Sequence, residues 1–112
     1  MPAVTARANY IRMSPQKVRL VADLIRGKPA SDALSLLQVK PKRASRVLLK
    51  LLRSALANAE QRKDLDPDTL VVRTLLVDSG PAWKRFRPRA LGRATPIRKR
   101  TSKIFMELAE AE

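Results

Sequence analysis

Apolar and polar positions alternate weakly at the start of the chain, with Val4, Ala6, Ala8 and Tyr10 on one side. This period of two predicts a short strand. Ser14-Pro15 then reads as an N-cap and first-turn pair: serine can accept from orphan amides, and proline lacks the amide that would be orphaned. Val18, Val21, Ala22 and Ile25 follow at helical spacing until Gly27 stops the helix. Lys17, Arg19 and Arg26 project away from that stripe. A brief second helix, from residue 29 or 30 to about residue 38, buries Ala33, Leu34 and Leu37. Pro41 opens the longest helix, from about residue 42 to 62. Its apolar stripe is Ala44, Leu48, Leu51, Leu52, Ala55 and Ala59, and Arg43, Arg46, Lys50 and Arg53 fall on the opposite face.

Residues 63–68 form a polar turn, and the period shortens again after it. Leu70, Val71, Val72, Leu75, Leu76 and Val77 predict a strand over 69–77. Its near-continuous apolar character suggests helices on one face, with Arg73 turned to the other. Residues 101–109 alternate Ile104, Met106 and Leu108 against Lys103, Phe105 and Glu107, a second strong strand. If these two strands pair antiparallel, residues 79–101 must close on themselves as a hairpin or loop. Leu91-Gly92 lies near its midpoint, where glycine supplies the positive φ a hairpin tip needs. Each arm, at roughly 3.3 Å per residue, would reach on the order of 35 Å. The radius of a domain this size is about 13 Å. The expectation is therefore one domain over 1–112, with a body of 1–78 plus 102–112 and an extended arm of 79–101.

Charge changes the picture more than size does. Of 112 residues, 24 are Lys or Arg and 10 are Asp or Glu, a formal net charge of +14. Between Asp78 and Glu107 run 28 residues without one acid. In them stand Lys84, Arg85, Arg87, Arg89, Arg93, Arg98, Lys99, Arg100 and Lys103, with Trp83 and Phe86 among them. Like charges at this density repel, and the repulsion is relieved when a polyanion lies against them; phosphate backbones are the commonest. Arg outnumbers Lys by 15 to 9, which favours planar, bidentate phosphate contacts.

Cysteine and histidine are both absent, removing disulfides, a thiol nucleophile and the usual general base. No apolar run approaches the roughly 20 residues of a membrane span, and no signal-peptide core opens the chain. A soluble intracellular protein without a membrane partner is expected.

The candidate chemistry is phosphate contact and base stacking. Trp83 and Phe86 could stack on bases while the arm's cations neutralise phosphates. A disordered basic tail is the plain alternative, but tails sit at termini and this segment is bracketed by strands. Pro81, Pro88 and Pro96 argue against a regular ladder throughout it. On the body, Arg12, Lys17, Arg19 and Arg26, with Arg43, Arg46, Lys50 and Arg53, are candidate phosphate grips. Such a face is ordinarily just solvated, yet few acids share these faces to balance them. Asp64, Asp66 and Asp68 have the spacing of a calcium loop, but Thr69 stands where its glycine belongs and Leu75 where its glutamate belongs. A polar turn is the better reading. Ser14, Ser45 and Ser79 lack a histidine base, and no Gly-rich phosphate loop exists, so no enzyme, metal or cofactor is expected. A free-standing basic DNA- or RNA-binding architectural protein is the alternative function. Against it, no dimerising heptad is present, and no helix-turn-helix partner precedes the first helix.

The string RPRALGRATPIRKRTSKI at residues 87–104 closely resembles the signature of a large-subunit ribosomal protein family, called L-twenty-two, in its bacterial form. YIRMSPQKVRLVADLIRGK at 10–28 and the stretch from Pro41 through SALANAE at 54–60 also resemble that family. The resemblance implies an α+β fold of three helices on a three-stranded antiparallel sheet, with a long protruding basic β-hairpin. It implies a structural constituent of the large subunit that binds its ribosomal RNA, supports assembly and contacts neighbouring ribosomal proteins as a single copy in the cytoplasm. The tip, Arg89, Ala90, Leu91, Gly92, Arg93 and Ala94, would line the nascent-peptide exit tunnel. Trp83, Lys84 and Arg85 match the incoming arm near the tunnel's narrow region, linked in the family to macrolide response. Arg98, Lys99, Arg100 and Lys103 match the returning, RNA-embedded arm. The chain departs from the family at Lys103, where histidine is frequent, and at Trp83, where a smaller apolar residue is common.

Overall fold

The computed structural model describes residues 3–40, 42–62, 64–80, 83–88, 94–99 and 101–110, the segments 83–88 and 94–99 as backbone. Strand β1 (Ala3–Ile11) leads into α1 (Pro15–Ile25), α2 (Ala30–Val39) and α3 (Arg43–Glu60). A 3-10 turn (Pro67–Thr69) precedes β2 (Leu70–Ser79), β3 (Trp83–Pro88), β4 (Ala94–Lys99) and β5 (Ser102–Glu110). The body is an antiparallel sheet of order β1-β5-β2, and β3 and β4 form a separate two-stranded sheet. This is the α+β arrangement of three helices on three strands that the sequence resemblance implied.

Alternation along the strands sorts residues to the two faces of the sheet. Val4 and Ala6 of β1, Val72, Leu75 and Val77 of β2, and Ile104, Met106 and Leu108 of β5 are all buried on one face. Against them pack Val18, Val21 and Ile25 of α1, Leu37 of α2, and Leu48, Leu52 and Ala55 of α3. The predicted stripes of α1 and α3 are thus the buried ones. Leu34, expected in the core, is only partly buried against it. Tyr10, expected on the same side as Val4, is 64% exposed. A register shift between Ala8 and Ile11 puts an extra residue into β1, and Tyr10 takes φ 60 there. A bulge of this kind turns the following side chains off the pleat, which a strict period of two cannot foresee.

The helix ends agree in place and differ in mechanism. Pro15 opens α1, but the Ser14 side chain makes no capping hydrogen bond. Gly27, at φ +82, ends it. Its amide donates to the Val72 carbonyl at 2.8 Å, and the Val72 amide donates to the Lys28 carbonyl at 2.9 Å. The helix exit is thereby sewn to the free edge of β2.

Both outer edges of the sheet are covered in this way. On β2, Arg19 donates twice to the Val77 carbonyl (3.0 and 2.7 Å) and Arg26 twice to Leu75 (3.2 and 2.8 Å). On β1, Asn58 donates to the Thr5 carbonyl and Arg62 to Ala3, at 3.4 and 2.6 Å. An unpaired strand edge invites pairing with another chain, and these side chains occupy it. Arg62 also bonds Asp64 and holds its carboxyl below the ordinary value of 3.8. A lowered folded-state value means the pair supports the fold above that pH, and its contribution is lost as pH falls through the lowered value.

The arm springs from a tight junction. Ser79 and Ser102 are register partners, and the Gly80 amide donates to the Thr101 carbonyl at 2.9 Å. Thr101 and Ser102 are buried, and the Ser102 hydroxyl donates to the Met13 carbonyl at 2.6 Å. Beyond the junction, six rungs join β3 to β4, from Trp83↔Lys99 to Pro88↔Ala94. Pro88 and Pro96 do not interrupt this ladder, contrary to expectation, and Pro81 lies outside the described residues. Pro88 and Pro96 sit on alternate rungs of the same parity, 88↔94 and 86↔96. The intervening rungs carry an amide on both sides, so antiparallel pairing proceeds without the missing donors. Residues 89–93, including the Leu91-Gly92 tip, lie outside the described residues. The molecule measures 64 × 24 × 19 Å with a radius of gyration of 17.3 Å, well above the roughly 13 Å of a compact chain this long.

A side chain at residue 80 has no room, since a Cβ there would lie 2.5 Å from Thr101 Oγ1. Gly80→Ala is expected to lower stability by about 1–3 kcal/mol, read as a lower denaturation midpoint with an unchanged slope.

Candidate nucleic-acid interface

Helical geometry gathers α3's cations. Arg43, Arg46, Lys50 and Arg53 are spaced three, four and three apart, which places them in one row. All four are exposed, and the buried Leu48, Leu52 and Ala55 lie on the other side. The described ion pairs are Arg26–Asp23, Arg62–Asp64 and Arg73–Glu107 at 3.8 Å, so no described acid is paired to this row. Uncompensated charge in a row suits a run of phosphates.

Arg12 and Lys17 are both exposed, Arg12 beside the root of the arm. The Ser102 bond to Met13 ties the turn carrying Arg12 to the start of β5. Arg19 and Arg26 are exposed too, but the structure gives them a task the helical wheel did not show. Both guanidiniums lie along β2, and Arg26 engages the Leu75 carbonyl and the Asp23 carboxylate together. Nothing in periodicity signals a long-range bond to a backbone oxygen.

On the arm, register brings charge against charge. Trp83 pairs with Lys99, Lys84 with Arg98, Arg85 with Ile97 and Arg87 with Thr95. Like charges directly opposite destabilise a ladder, and Lys84 opposite Arg98 is such a rung. Arg89, Ala90, Leu91, Gly92, Arg93 and Arg100 lie outside the described residues, while Ala94 closes the last rung with Pro88.

Lys103 belongs to the body. It sits on the open face of the sheet, opposite Asp78 in register, and helps line a pocket with Arg7, Asn9, Leu76, Asp78, Ile104 and Phe105. The Arg7 guanidinium lies over the Phe105 ring, 5.1 Å from its centre. Sequence reasoning missed this group, although Phe105 and Leu76 were visible as apolar residues on the polar side of their strands. Asp64, Asp66 and Asp68 form the polar turn expected of them. Asp66 accepts from the Asp68 amide, and no group of potential metal ligands occurs among the described residues.

A small α+β body with an uncompensated cationic helix face, carrying a two-stranded basic arm, defines a polyanion-binding protein. Comparison makes the class specific. Residues 6–109 match the family model described as Ribosomal protein L22p/L17e, and the chain belongs to that family. Among similar proteins is the large ribosomal subunit protein uL22 of Desulfitobacterium hafniense, 54% identical, the match covering 98% of this chain and 96% of the relative. The uL22 proteins of Syntrophobacter fumaroxidans and Rubrobacter xylanophilus are 54% and 56% identical, covering 96% of this chain and 97% and 84% of theirs. The family is structural, not enzymatic.

The cations divide by what they touch, and stability separates them. Arg26→Ala removes two bonds to a strand carbonyl and is expected to cost about 1–2 kcal/mol. Arg53→Ala, which breaks no described bond, should leave the melting temperature within a degree or so of the parent, both read by thermal denaturation.

Proposed function

We propose that this chain is a structural constituent of the large ribosomal subunit that binds its ribosomal RNA, supports assembly and lines the nascent-peptide exit tunnel. The reading is carried by the closure of β2 on β5 around a basic segment that contains no acid. Family membership over residues 6–109 supports it. The protein acts as a single copy within the cytoplasmic ribosome, as one domain with a body of 1–78 plus 102–112 and an arm of 79–101.

Phosphates of the RNA meet Arg12, Lys17, Arg43, Arg46, Lys50 and Arg53 on the body, and Arg19 and Arg26 add charge to that surface with the donors left over from their bonds to β2. On the arm the phosphates meet Lys84, Arg85, Arg87, Arg98, Lys99 and Arg100, while Trp83 stacks on a base and Lys103, at the arm's root, contacts the RNA. The arm threads between RNA segments, which its charge allows to approach one another. Its tip, Arg89, Ala90, Leu91, Gly92, Arg93 and Ala94, faces the nascent polypeptide. Helical RNA is recognised by shape and backbone, since A-form grooves hide the base edges. Neighbouring large-subunit proteins complete the surroundings.

Sedimentation tests this reading. The chain should stay with the large subunit on a sucrose gradient through a high-salt wash; release into the soluble fraction, or migration with DNA, would sink it.

Two further outcomes are expected. Replacing Arg46, Lys50 and Arg53 by Gln should reduce the slope of log affinity against log salt for large-subunit RNA by roughly 2–3. A chain lacking residues 82–100, with its strands joined by a short turn, should still melt cooperatively and bind RNA more weakly. A non-cooperative melt would show that the arm belongs to the core.

A further inference from the structure

The helices cover one face of the sheet and leave the other open. Across its middle lie three register partners: Arg7 on β1, Phe105 on β5 and Leu76 on β2. Leu76 is 50% exposed, Phe105 is half-buried, and the Arg7 guanidinium covers part of the ring. In the next row stand Lys103 and Asp78, also register partners, with Asn9 beside them at the bulge. These residues line a pocket of about 370 Å³.

Two features suit a ligand better than a merely solvated surface. Phe105 and Leu76 make an apolar floor at the centre of the face, flanked by Arg7, Asn9, Asp78 and Lys103. Asp78 and Lys103 carry opposite charges on one rung, yet no described ion pair engages either. A carboxylate and an ammonium, each uncommitted, thus stand side by side in the row next to Phe105 and Leu76.

We propose that this pocket holds an unpaired guanine of the bound RNA, its ring against Phe105, Leu76 and the Arg7 guanidinium, its edge read by Asp78 and Lys103. The proposal rests on the RNA-binding reading above and specifies where on the body a base is recognised. Splayed-out bases stack on aromatic rings and guanidinium planes. Guanine alone presents two adjacent donors, N1–H and N2–H, beside an acceptor, O6. A carboxylate accepts both donors while an ammonium donates to O6. Uracil and cytosine each offer a single donor group on this edge, and adenine sets its donor beside an acceptor. Asn9 can donate or accept at the rim.

An added peptide strand, the usual rival for an open sheet, needs a free edge. Here Arg19, Arg26, Asn58 and Arg62 occupy carbonyls on both edges.

The test is an amide-resolved NMR titration of the full chain with the 5′-monophosphates of guanosine, adenosine, cytidine and uridine at one salt concentration. Guanosine monophosphate is expected to shift residues 7, 9, 76, 78, 103 and 105, with the other three weaker by about tenfold or more. Asp78→Asn changes an exposed side chain and should lose about tenfold in guanosine affinity while the spectrum stays folded. Phe105→Leu, which keeps an apolar side chain, should lose about as much. Equal response to all four nucleotides, or shifts confined to α3 and the arm, would overturn the proposal. In the intact large subunit, ultraviolet crosslinking should attach a guanine to the peptide carrying Phe105. Another base, a protein segment or no adduct there would equally overturn it. Binding of large-subunit RNA by the same preparation separates the two readings: retained binding without a guanosine response removes the pocket alone, and lost binding removes RNA recognition as well.

Discussion

Antiparallel closure of β2 on β5 is the interaction on which the rest depends. β5 is the central strand, paired to β1 on one side and β2 on the other, so the sheet cannot form without the C-terminal segment. The same pairing makes the chain leave the body at Ser79 and return at Ser102, side by side. The described segments between them, β3 and β4, pair with each other rather than with the body sheet. The two ladders are out of step by one residue: from Ser79 to Trp83 the outgoing side holds three residues, from Lys99 to Ser102 the returning side two. An unequal count bends and twists a ladder. At the root of the arm, Gly80 leaves space for the Thr101 side chain.

Packing the helices on one face gives the cations two separate physical uses. Where a basic side chain lies beside an unpaired strand edge, the nearest strong acceptors are backbone carbonyls. Arg19, Arg26 and Arg62 reach those and satisfy oxygens that would otherwise need water. Where it lies on the outward row of α3, no described ion pair engages it, and the charge stays uncompensated. Net charge summed over the sequence merges these groups; the fold separates them. The body can therefore be stabilised by part of its positive charge while the remainder stays available to a polyanion.

Legibility followed the range of the forces involved. The stripes of α1 and α3, the stop at Gly27 and the alternation of β5 are set by neighbours in sequence, and each appeared where period and turn chemistry put it. The resemblance of residues 87–104 to a ribosomal family was equally local, and it pointed to the family that residues 6–109 match. What escaped depends on partners far along the chain. Arg19 meets a carbonyl 58 residues away, and the Ser102 hydroxyl meets one 89 away. The bulge that turns Tyr10 outward arises from the register of β1 on β5, a property of the pair. Pro88 and Pro96 looked like interruptions because parity across the hairpin is invisible until the register is known. The outer-face pocket escaped because Arg7, Leu76 and Phe105 come from three strands.

Charge along the arm shows why body and arm rely on different stabilisation. Asp78, opposite Lys103, is the last acid before the arm, and that rung joins opposite signs. Past it, the described rungs carry only cations or neutral residues, and Lys84 stands opposite Arg98. Cross-strand pairs contribute roughly 0.2–1 kcal/mol each, with like charges on the unfavourable side. A ribbon of two strands is marginal even without that repulsion. The body has the opposite balance, with a continuous apolar core and three ion pairs among its described residues. Phosphates against the arm would reverse the sign of its electrostatic contribution at every cation at once. The body holds its shape through its own core, whereas the described rungs of the arm gain nothing from opposite charges across the ladder.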